Sequence, residues 1–168
     1  MLVSDYSFSV ALSDLNLSIF VQGGCAPFVG ELIRTSLAEG ISDRVLEKLN
    51  KAYKKRCQRL CEILQTEPRI SIDTTPLGGY FLWVSFCDVD DTTELLNHCE
   101  EKGVKFLPGI RCDSLGDASW SGLPADACQR RARLCFADMD LVDIEDGAAL
   151  LISCYREYLE SPPSSDVS

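Results

Sequence analysis

A long amphipathic stretch from residue 42 to residue 65 constrains the fold of this chain more than any other feature. Apolar residues recur there every three or four positions for about six turns, which is the period of one helix face. Ser42 precedes them as a suitable N-cap residue, and the opposite side carries mostly basic residues that we interpret as a solvated face. The apolar positions are Val45, Leu46, Leu49, Ala52, Tyr53, Leu60, Ile63 and Leu64. The stretch therefore predicts one long helix with one apolar side.

Shorter patterns flank this helix. Pro27 suits the first turn of a helix, and the apolar residues behind it repeat at helical spacing until Gly40. A second amphipathic helix starts near Asp91 and ends at Gly103, and a third is capped by Asp140 and carries a stripe from Leu141 to Leu159. We therefore expect four helices in total.

Four short segments have the composition of strands. Residues 69–73 are β-branched, and the apolar and aromatic run 80–86 indicates a strand covered on both faces. A short strand at 104–107 stops at Pro108, and 131–137 alternates, with Ala132 and Leu134 on one face and Arg133 on the other. The loop 110–130 is long for a connection inside a compact domain, which is typical of a functional or mobile segment.

Together these elements predict an α+β fold, a small mixed or antiparallel sheet with helices packed on it, preceded by a long helix. We divide the chain into a lead-in and first helix (1–41), the long helix (42–66), the sheet with its helices (67–160) and a disordered tail (161–168). The tail is rich in Pro and Ser, which favours disorder.

Composition narrows the range of functions. Sixteen basic and twenty-six acidic residues give a net charge of −10, which disfavours binding to nucleic acid or to anionic membranes. No apolar run approaches the length of a transmembrane helix, and residues 1–20 lack a basic leader, so we expect a cytoplasmic protein. The nine scattered cysteines, an odd number without a C-x-x-C pair, indicate reduced thiols.

Four motifs occur in one order: GGCAPF at 23–28, PLGGYFLW at 76–83, GVKFLPG at 103–109 and RLCF at 133–136. Their order and spacing resemble the C-terminal part of class I/II pyridoxal-phosphate-dependent aminotransferases of fold type I, nearest to the branch of 2-aminoadipate and multi-substrate aromatic transaminases. The resemblance covers about residues 22–160 and implies a small domain joined to a cofactor-carrying large domain by a long helix. Residues 42–65 resemble that linking helix, so the resemblance implies that 42–66 is an interdomain-type linking helix and that 67–160 is the small C-terminal domain of an aminotransferase.

The resemblance implies a role for one residue, Arg133. The arginine of the R-L-x-F strand in this family binds the α-carboxylate of the substrate, and a guanidinium fork matches a carboxylate with two parallel hydrogen bonds. From the sequence alone Arg133 could also be an exposed strand arginine or an ion-pair partner. Arg130 and Arg131 lie close enough to shift the assignment by one or two positions.

Three glycines are weaker site candidates. Gly109 and the loop after it resemble the family's segment that passes over the substrate side chain, although Cys112 or Asp113 stands where an aromatic residue is common. Gly23 and Gly24 resemble a segment near the cofactor in a dimer, and a tight turn before a helix explains them equally well. The resemblance also implies amino acid and 2-oxo acid substrates and a homo-oligomer.

The residues that would hold the cofactor are expected upstream of the Gly-Gly motif in this family, and residues 1–22 contain no lysine. Pyridoxal phosphate would serve the complete enzyme, whereas this chain lacks the Schiff-base lysine and is predicted to be truncated and inactive alone. Lysines such as Lys48, Lys51 and Lys102 are expected on helix surfaces, where the amine stays protonated. The alternative is a non-catalytic truncated small domain that acts as a binding or self-association module.

Other chemistries find little support in the sequence. His98 is the only histidine, and its neighbour Cys99 would point about 100° away on a helix, which disfavours a metal pair or a catalytic dyad. Cys57 and Cys61 share a helix face, where two small buried side chains are the simpler interpretation. We therefore predict no metal site and no catalytic residue within the chain.

Overall fold

A computed structural model describes residues 26–112 and 128–160. The chain divides into two compact units, with the boundary between Lys48 and Leu49, inside the long helix. The predicted lead-in, the greater part of the predicted loop 110–130 and the predicted tail lie outside the described residues. So do Gly23 and Gly24.

The first unit contains helix α1, Pro27–Ala38, and the start of helix α2, Ile41–Leu64. Pro27 occupies the first turn of α1, as the sequence predicts, and Gly40 links the two helices with a φ of 63° that favours glycine. The expectation that Ser42 caps α2 is wrong. The helix begins one residue earlier, at Ile41, and the Ser42 hydroxyl lies 3.0 Å from that of Ser36.

The apolar stripe of α2 is not uniformly packed. Its second half supplies the buried residues Cys57, Leu60, Cys61 and Leu64, as expected for a core-facing side. Val45 and Leu46 in its first half are 48% and 54% exposed, and α1 contains no buried residue at all. Helical periodicity therefore identified the face but could not tell which part of it has a partner.

The second unit carries a four-stranded sheet. Its elements are β1 at Ile70–Ile72, β2 at Phe81–Phe86, α3 at Thr92–Glu100, β3 at Leu107–Pro108, a 3-10 turn at Gly109–Cys112, β4 at Arg131–Cys135 and α4 at Leu141–Glu160. The strand order is β1-β2-β4-β3, and all three pairings are antiparallel. The predicted α+β class, a small sheet with helices packed on it, is confirmed.

Helix starts follow their capping residues. The Asp91 carboxylate accepts a hydrogen bond from the Thr93 backbone N–H at 2.7 Å, and Asp140 accepts one from the Asp143 N–H at 3.0 Å. Each carboxylate satisfies one of the unpaired N–H groups of a first helical turn. The sequence predicted both of these helix starts.

Two strand predictions need correction. Most of the run 80–86 forms β2, but among the described residues only one of its faces is fully buried. Leu82, Val84 and Phe86 are buried, whereas Phe81 is 42% exposed. The strand predicted at 104–107 is reduced to Leu107–Pro108 and includes the proline that was expected to stop it. Because β3 lies at the edge of the sheet, Pro108 can pair there without offering an N–H.

One core lies between the sheet and the helices of the second unit. The second half of α2, the buried residues of the sheet, α3 and α4 contribute to it. Tyr155 of α4 is fully buried in this core, and its hydroxyl donates to the Cys87 carbonyl at 2.5 Å. The predicted stripe of α4 is confirmed at Ile144, Ala148, Leu151 and Ile152.

A buried carboxylate joins the helical layer to the sheet. Glu67, between α2 and β1, is 3% exposed and receives hydrogen bonds from Arg156 of α4 at 2.6 Å and Arg69 at 3.1 Å. The Arg156 and Arg69 guanidinium groups together lower the pKa of Glu67 to about 2. A buried acid is thus held in its charged form by two partners.

No helix in the described part of the chain is both long enough and apolar enough to cross a membrane.

Candidate functional site

The candidate site is the side of the sheet that faces away from the core. Strand residues alternate between two sides, and burial separates them into a packed face, made of Leu82, Val84, Phe86, Ala132 and Leu134, and an open face. We use the name open face for Phe81, Trp83 and Ser85 of β2 together with Arg131, Arg133 and Cys135 of β4. Register places these residues in three opposed pairs, Phe81 with Cys135, Trp83 with Arg133 and Ser85 with Arg131.

Arg133 lies at the centre of the open face. It is half-buried between Trp83 on β2 and Leu107 on β3, its two partners in the register of the sheet. Its guanidinium carbon lies over the Phe81 ring, 4.0 Å from the centroid. This distance is well inside the range in which a cation is attracted to an aromatic face.

The contact with Phe81 leaves the hydrogen-bonding capacity of Arg133 unused. A guanidinium has five N–H donors, and an aromatic ring provides no carboxylate or carbonyl oxygen for them. Among residues 26–112 and 128–160 we find no carboxylate in an ion pair with Arg133. As far as the described residues are concerned, the Arg133 guanidinium can therefore accept a carboxylate without first losing a carboxylate partner.

The two neighbouring arginines differ from Arg133 in this respect. Arg131 pairs with Asp73 at 2.9 Å and also lies 3.3 Å from the Ser85 hydroxyl, which itself donates to Asp73 at 2.8 Å. Arg130 lies 3.5 Å from the Asp90 carboxylate. Of the three candidates raised by the sequence, Arg133 is the one without a carboxylate partner among the described residues.

Gly109 has a steric reason to be glycine. A Cβ placed there would lie 2.2 Å from the Cys128 carbonyl oxygen and 2.8 Å from that of Arg131. Any side chain would force the backbone apart, because real contacts of this kind do not occur at such distances. Gly109 thus lets the 3-10 turn lie directly against the start of β4, while its predicted place in a substrate loop stays a prediction.

The remaining candidates form no reactive cluster. Burial raises the pKa of Cys61 to about 11 and that of Cys57 in the same direction, which keeps both thiols protonated. Both are buried, as predicted. Cys99 is buried and His98 is half-buried against Tyr158 at 6.2 Å between rings.

Within the two described segments no group of three or more His, Cys, Asp or Glu side chains could hold a metal ion.

All six lysines of the chain lie within the described residues and all are exposed. Lys102 forms an ion pair with Glu157, which raises the pKa of the amine. A lysine that attaches a carbonyl cofactor needs a lowered pKa, normally produced by burial or a neighbouring cation. None of the six is buried.

The sequence did not predict the partners that distinguish Arg131 from Arg133. Alternation along β4 placed Arg131 and Arg133 on the same side, but the pairing of Arg131 with Asp73 depends on a residue 58 positions earlier, just after β1. The stacking of Arg133 on Phe81 depends on the register between β2 and β4. No local pattern reports a contact of either kind.

Comparisons with known proteins give one consistent result. The chain is 32% identical over 79 residues to the 2-aminoadipate transaminase of Thermus thermophilus, a match that covers 46% of this chain and 20% of that protein. The structure of alpha-aminoadipate aminotransferase from Thermus thermophilus, in complex with N-(5'-phosphopyridoxyl)-L-leucine, matches with a TM-score of 0.69 and 23% identity. That match covers 89% of this chain and 36% of the other.

A third match has a similar extent. Kynurenine aminotransferase of Pyrococcus horikoshii matches with a TM-score of 0.61 and 25% identity over 74% of this chain and 28% of that one. No protein-family model matches the chain. The chain is thus similar to fold-type I aminotransferases over part of its length, and it spans about a fifth to a third of the relatives it matches.

Proposed function

We propose that this chain is the C-terminal, small-domain part of a pyridoxal-phosphate-dependent aminotransferase, and that Arg133 binds the α-carboxylate of its amino acid and 2-oxo acid substrates. The observation that carries the proposal is the guanidinium of Arg133, stacked on Phe81 and without a carboxylate partner among the described residues. Its position in the RLCF motif and the similarity to aminotransferases support the same assignment.

Within that reaction the chain's own contribution would be orientation. A fork of two parallel N–H donors fixes a carboxylate in position and in plane, whereas an ammonium group fixes only its position. Pyridoxal phosphate, when bound to the complete enzyme, supplies the electron sink for bond breaking at the substrate α-carbon. The residues of this chain suit the carboxylate and not the covalent attachment of the cofactor, because every lysine is exposed.

We accordingly propose that the 168 residues alone do not catalyse amino-group transfer. The test incubates the chain with pyridoxal phosphate, an amino acid and a 2-oxo acid, measures the new amino acid, and maps lysines after borohydride reduction. We expect no transfer and no single lysine modified in preference to the other five. Transfer, or one preferred lysine, would contradict this part of the proposal.

Binding of carboxylates by Arg133 is tested separately. Side-chain NMR of arginine ¹⁵Nε–¹Hε groups in the 168-residue chain, titrated with acetate and in parallel with acetamide, reports each guanidinium individually. We expect the Arg133 signal to move with acetate and not with acetamide, and Arg133→Lys to show no saturable site on the open face. An Arg133 signal that does not respond to acetate would refute the substrate-binding role.

A second candidate function has its own observation in the first unit. Phe28, Leu32, Ile33 and Leu37 of α1 are 53% to 74% exposed, and Val45 and Leu46 of α2 are about half exposed. Apolar residues exposed in such numbers on neighbouring turns are typical of a surface that binds another protein surface. This observation favours a binding or self-association module, with or without catalysis.

The two functions make different predictions for sedimentation. A self-association module should form dimers at micromolar concentration that Leu46→Glu and Ile33→Glu abolish, and Lys48→Glu serves as an exposed control on the same helix. The complete enzyme is also expected to be a homo-oligomer and, because of its scattered cysteines, to work in the reducing cytoplasm. A monomeric 168-residue chain at high concentration would remove support for the module.

A further inference from the structure

We infer that Phe81 is a positioning residue for Arg133: its ring holds the guanidinium in one orientation, so that a carboxylate meets a preformed fork. The inference rests on the proposed carboxylate-binding role of Arg133. It adds a residue that does not contact the substrate and acts only through the arginine.

An arginine side chain loses conformational freedom when it binds a ligand. A free arginine side chain samples many rotamers, and fixing such a chain on binding costs about 0.5–1.5 kcal/mol. Other arginines of the chain are fixed by acceptors, as Arg131 is by Asp73 and Arg156 by Glu67. An acceptor would occupy the donors that a substrate carboxylate needs, so Arg133 requires restraint of another kind.

Phe81 provides such restraint. Its ring centroid lies 4.0 Å from the guanidinium carbon of Arg133, and an aromatic face attracts the cation through its quadrupole rather than through an oxygen atom. This contact covers one side of the guanidinium and uses none of its five N–H donors. A side chain of comparable apolar volume but without a ring, such as leucine, would keep the packing and lose this attraction.

The surroundings of Phe81 explain why its ring is itself held in place. Tyr80 meets Phe81 edge to face with centroids 6.3 Å apart, and Tyr53 of α2 meets Tyr80 in the same manner at 5.6 Å. Such edge-to-face pairs have a preferred geometry. Tyr53 and Tyr80 thus restrict the position of the Phe81 ring from the side of the long helix. Phe81 is nevertheless 42% exposed.

Exposure is the reason to regard Phe81 as functional rather than structural. The next residues of β2 on the open face are Trp83 and Ser85. The ring in cation–π contact with Arg133 is that of Phe81, not that of Trp83. A large ring that remains 42% exposed contributes less to the core than a buried one. Its described ring contacts are with Arg133 and Tyr80.

The experiment measures acetate affinity at the Arg133 ¹⁵Nε–¹Hε signal in the 168-residue chain and three variants. Phe81→Leu should weaken acetate binding about two- to tenfold, the range that the cost of ordering one arginine corresponds to. Phe81→Tyr keeps the ring and should restore the affinity of the unaltered chain to within a factor of about two. Tyr80→Leu removes the neighbouring exposed ring, does not remove the contact with Arg133, and should have the smaller effect.

A second readout separates positioning from folding. The Arg133 side-chain protons should lie upfield in the unaltered chain, because they sit over an aromatic ring, and should move towards their ordinary positions in Phe81→Leu while the signals of buried residues stay unchanged. Loss of that upfield shift together with unchanged acetate affinity would overturn the inference. Absence of acetate binding in the unaltered chain would instead overturn the proposed function, so the two failures are distinguishable.

Discussion

The two faces of the sheet in this chain are made from the same strands and differ in burial. On the packed face Leu82, Val84 and Phe86 are buried against the helices, and Phe86 meets Tyr155 with ring centroids 5.2 Å apart. On the open face, which carries the alternate residues of the same strands, Phe81 and Arg133 are stacked and remain partly exposed. A shift of one position along a strand therefore separates a residue that stabilises the fold from one that is available for binding.

Charged side chains on the two sides of the sheet also differ in their partners. The buried Glu67 on the helical side has two arginine partners, whereas Arg133 has an aromatic partner and no described carboxylate. Buried charges must be compensated inside the protein, while a charge at the surface can remain unpaired until a ligand binds, because water solvates it. The absence of a carboxylate partner among the described residues therefore distinguishes Arg133 better than its charge does.

The contrast between faces is tested most strongly by removing one ring from each. Phe86→Ala should lower the free energy of unfolding by about 3–5 kcal/mol, because it leaves a cavity in the core. Phe81→Ala should cost about 1 kcal/mol or less, since the ring is partly exposed already. Urea unfolding followed by circular dichroism measures both, and equal losses would show that the open face is part of the core.

A second test uses two glycines with opposite surroundings. Gly109→Ala should destabilise the chain by about 2 kcal/mol or more, because its Cβ would overlap two backbone carbonyl groups. Gly147 lies inside α4 with nothing within 4 Å of an added Cβ, so Gly147→Ala should stabilise by about 0.5–1 kcal/mol through helix propensity. Thermal unfolding of both variants gives the two signs, and a neutral Gly109→Ala would disprove the close approach.

The charge contrast predicts a pH dependence. The pKa of Glu67 is lowered from 4.5 to about 2 in the folded chain, so between these values the unfolded chain binds more protons than the folded one. Stability from this group is therefore complete above pH 4.5 and is lost as the pH falls towards 2. Unfolding free energies measured across this window should fall less steeply in Glu67→Gln, and parallel curves would count against the buried ion cluster.

The smallest effect on stability is expected at Asp73. Asp73→Asn removes the carboxylate partner of Arg131, and we expect a cost within about 1 kcal/mol because the pair is partly solvated. The informative measurement is acetate binding, because the Arg131 guanidinium should then respond to acetate in addition to that of Arg133. If Arg131 shows no response in Asp73→Asn, then lack of a carboxylate partner is not what makes an arginine of the open face a binding group.

Local sequence patterns were enough to predict the described helices, most of the described strands and the α+β class. Capping residues such as Asp91 and Asp140 and the stripes of α2 and α4 act within a few turns of chain, so local patterns report them. The same patterns placed Arg131 and Arg133 on the side opposite Ala132 and Leu134, as the sheet confirms. The similarity to aminotransferases was also predictable, because four motifs occur in one order along the chain.

Which residue of each pattern has a partner depends on contacts between distant parts of the chain. The stripe of α2 is continuous in sequence, yet its first half is exposed and its second half is buried. The arginines of β4 look alike until Asp73 pairs with Arg131 and Phe81 lies over Arg133. These contacts join residues 52 to 58 positions apart, and strand register, which sets them, comes from packing of the whole sheet rather than from any local stretch.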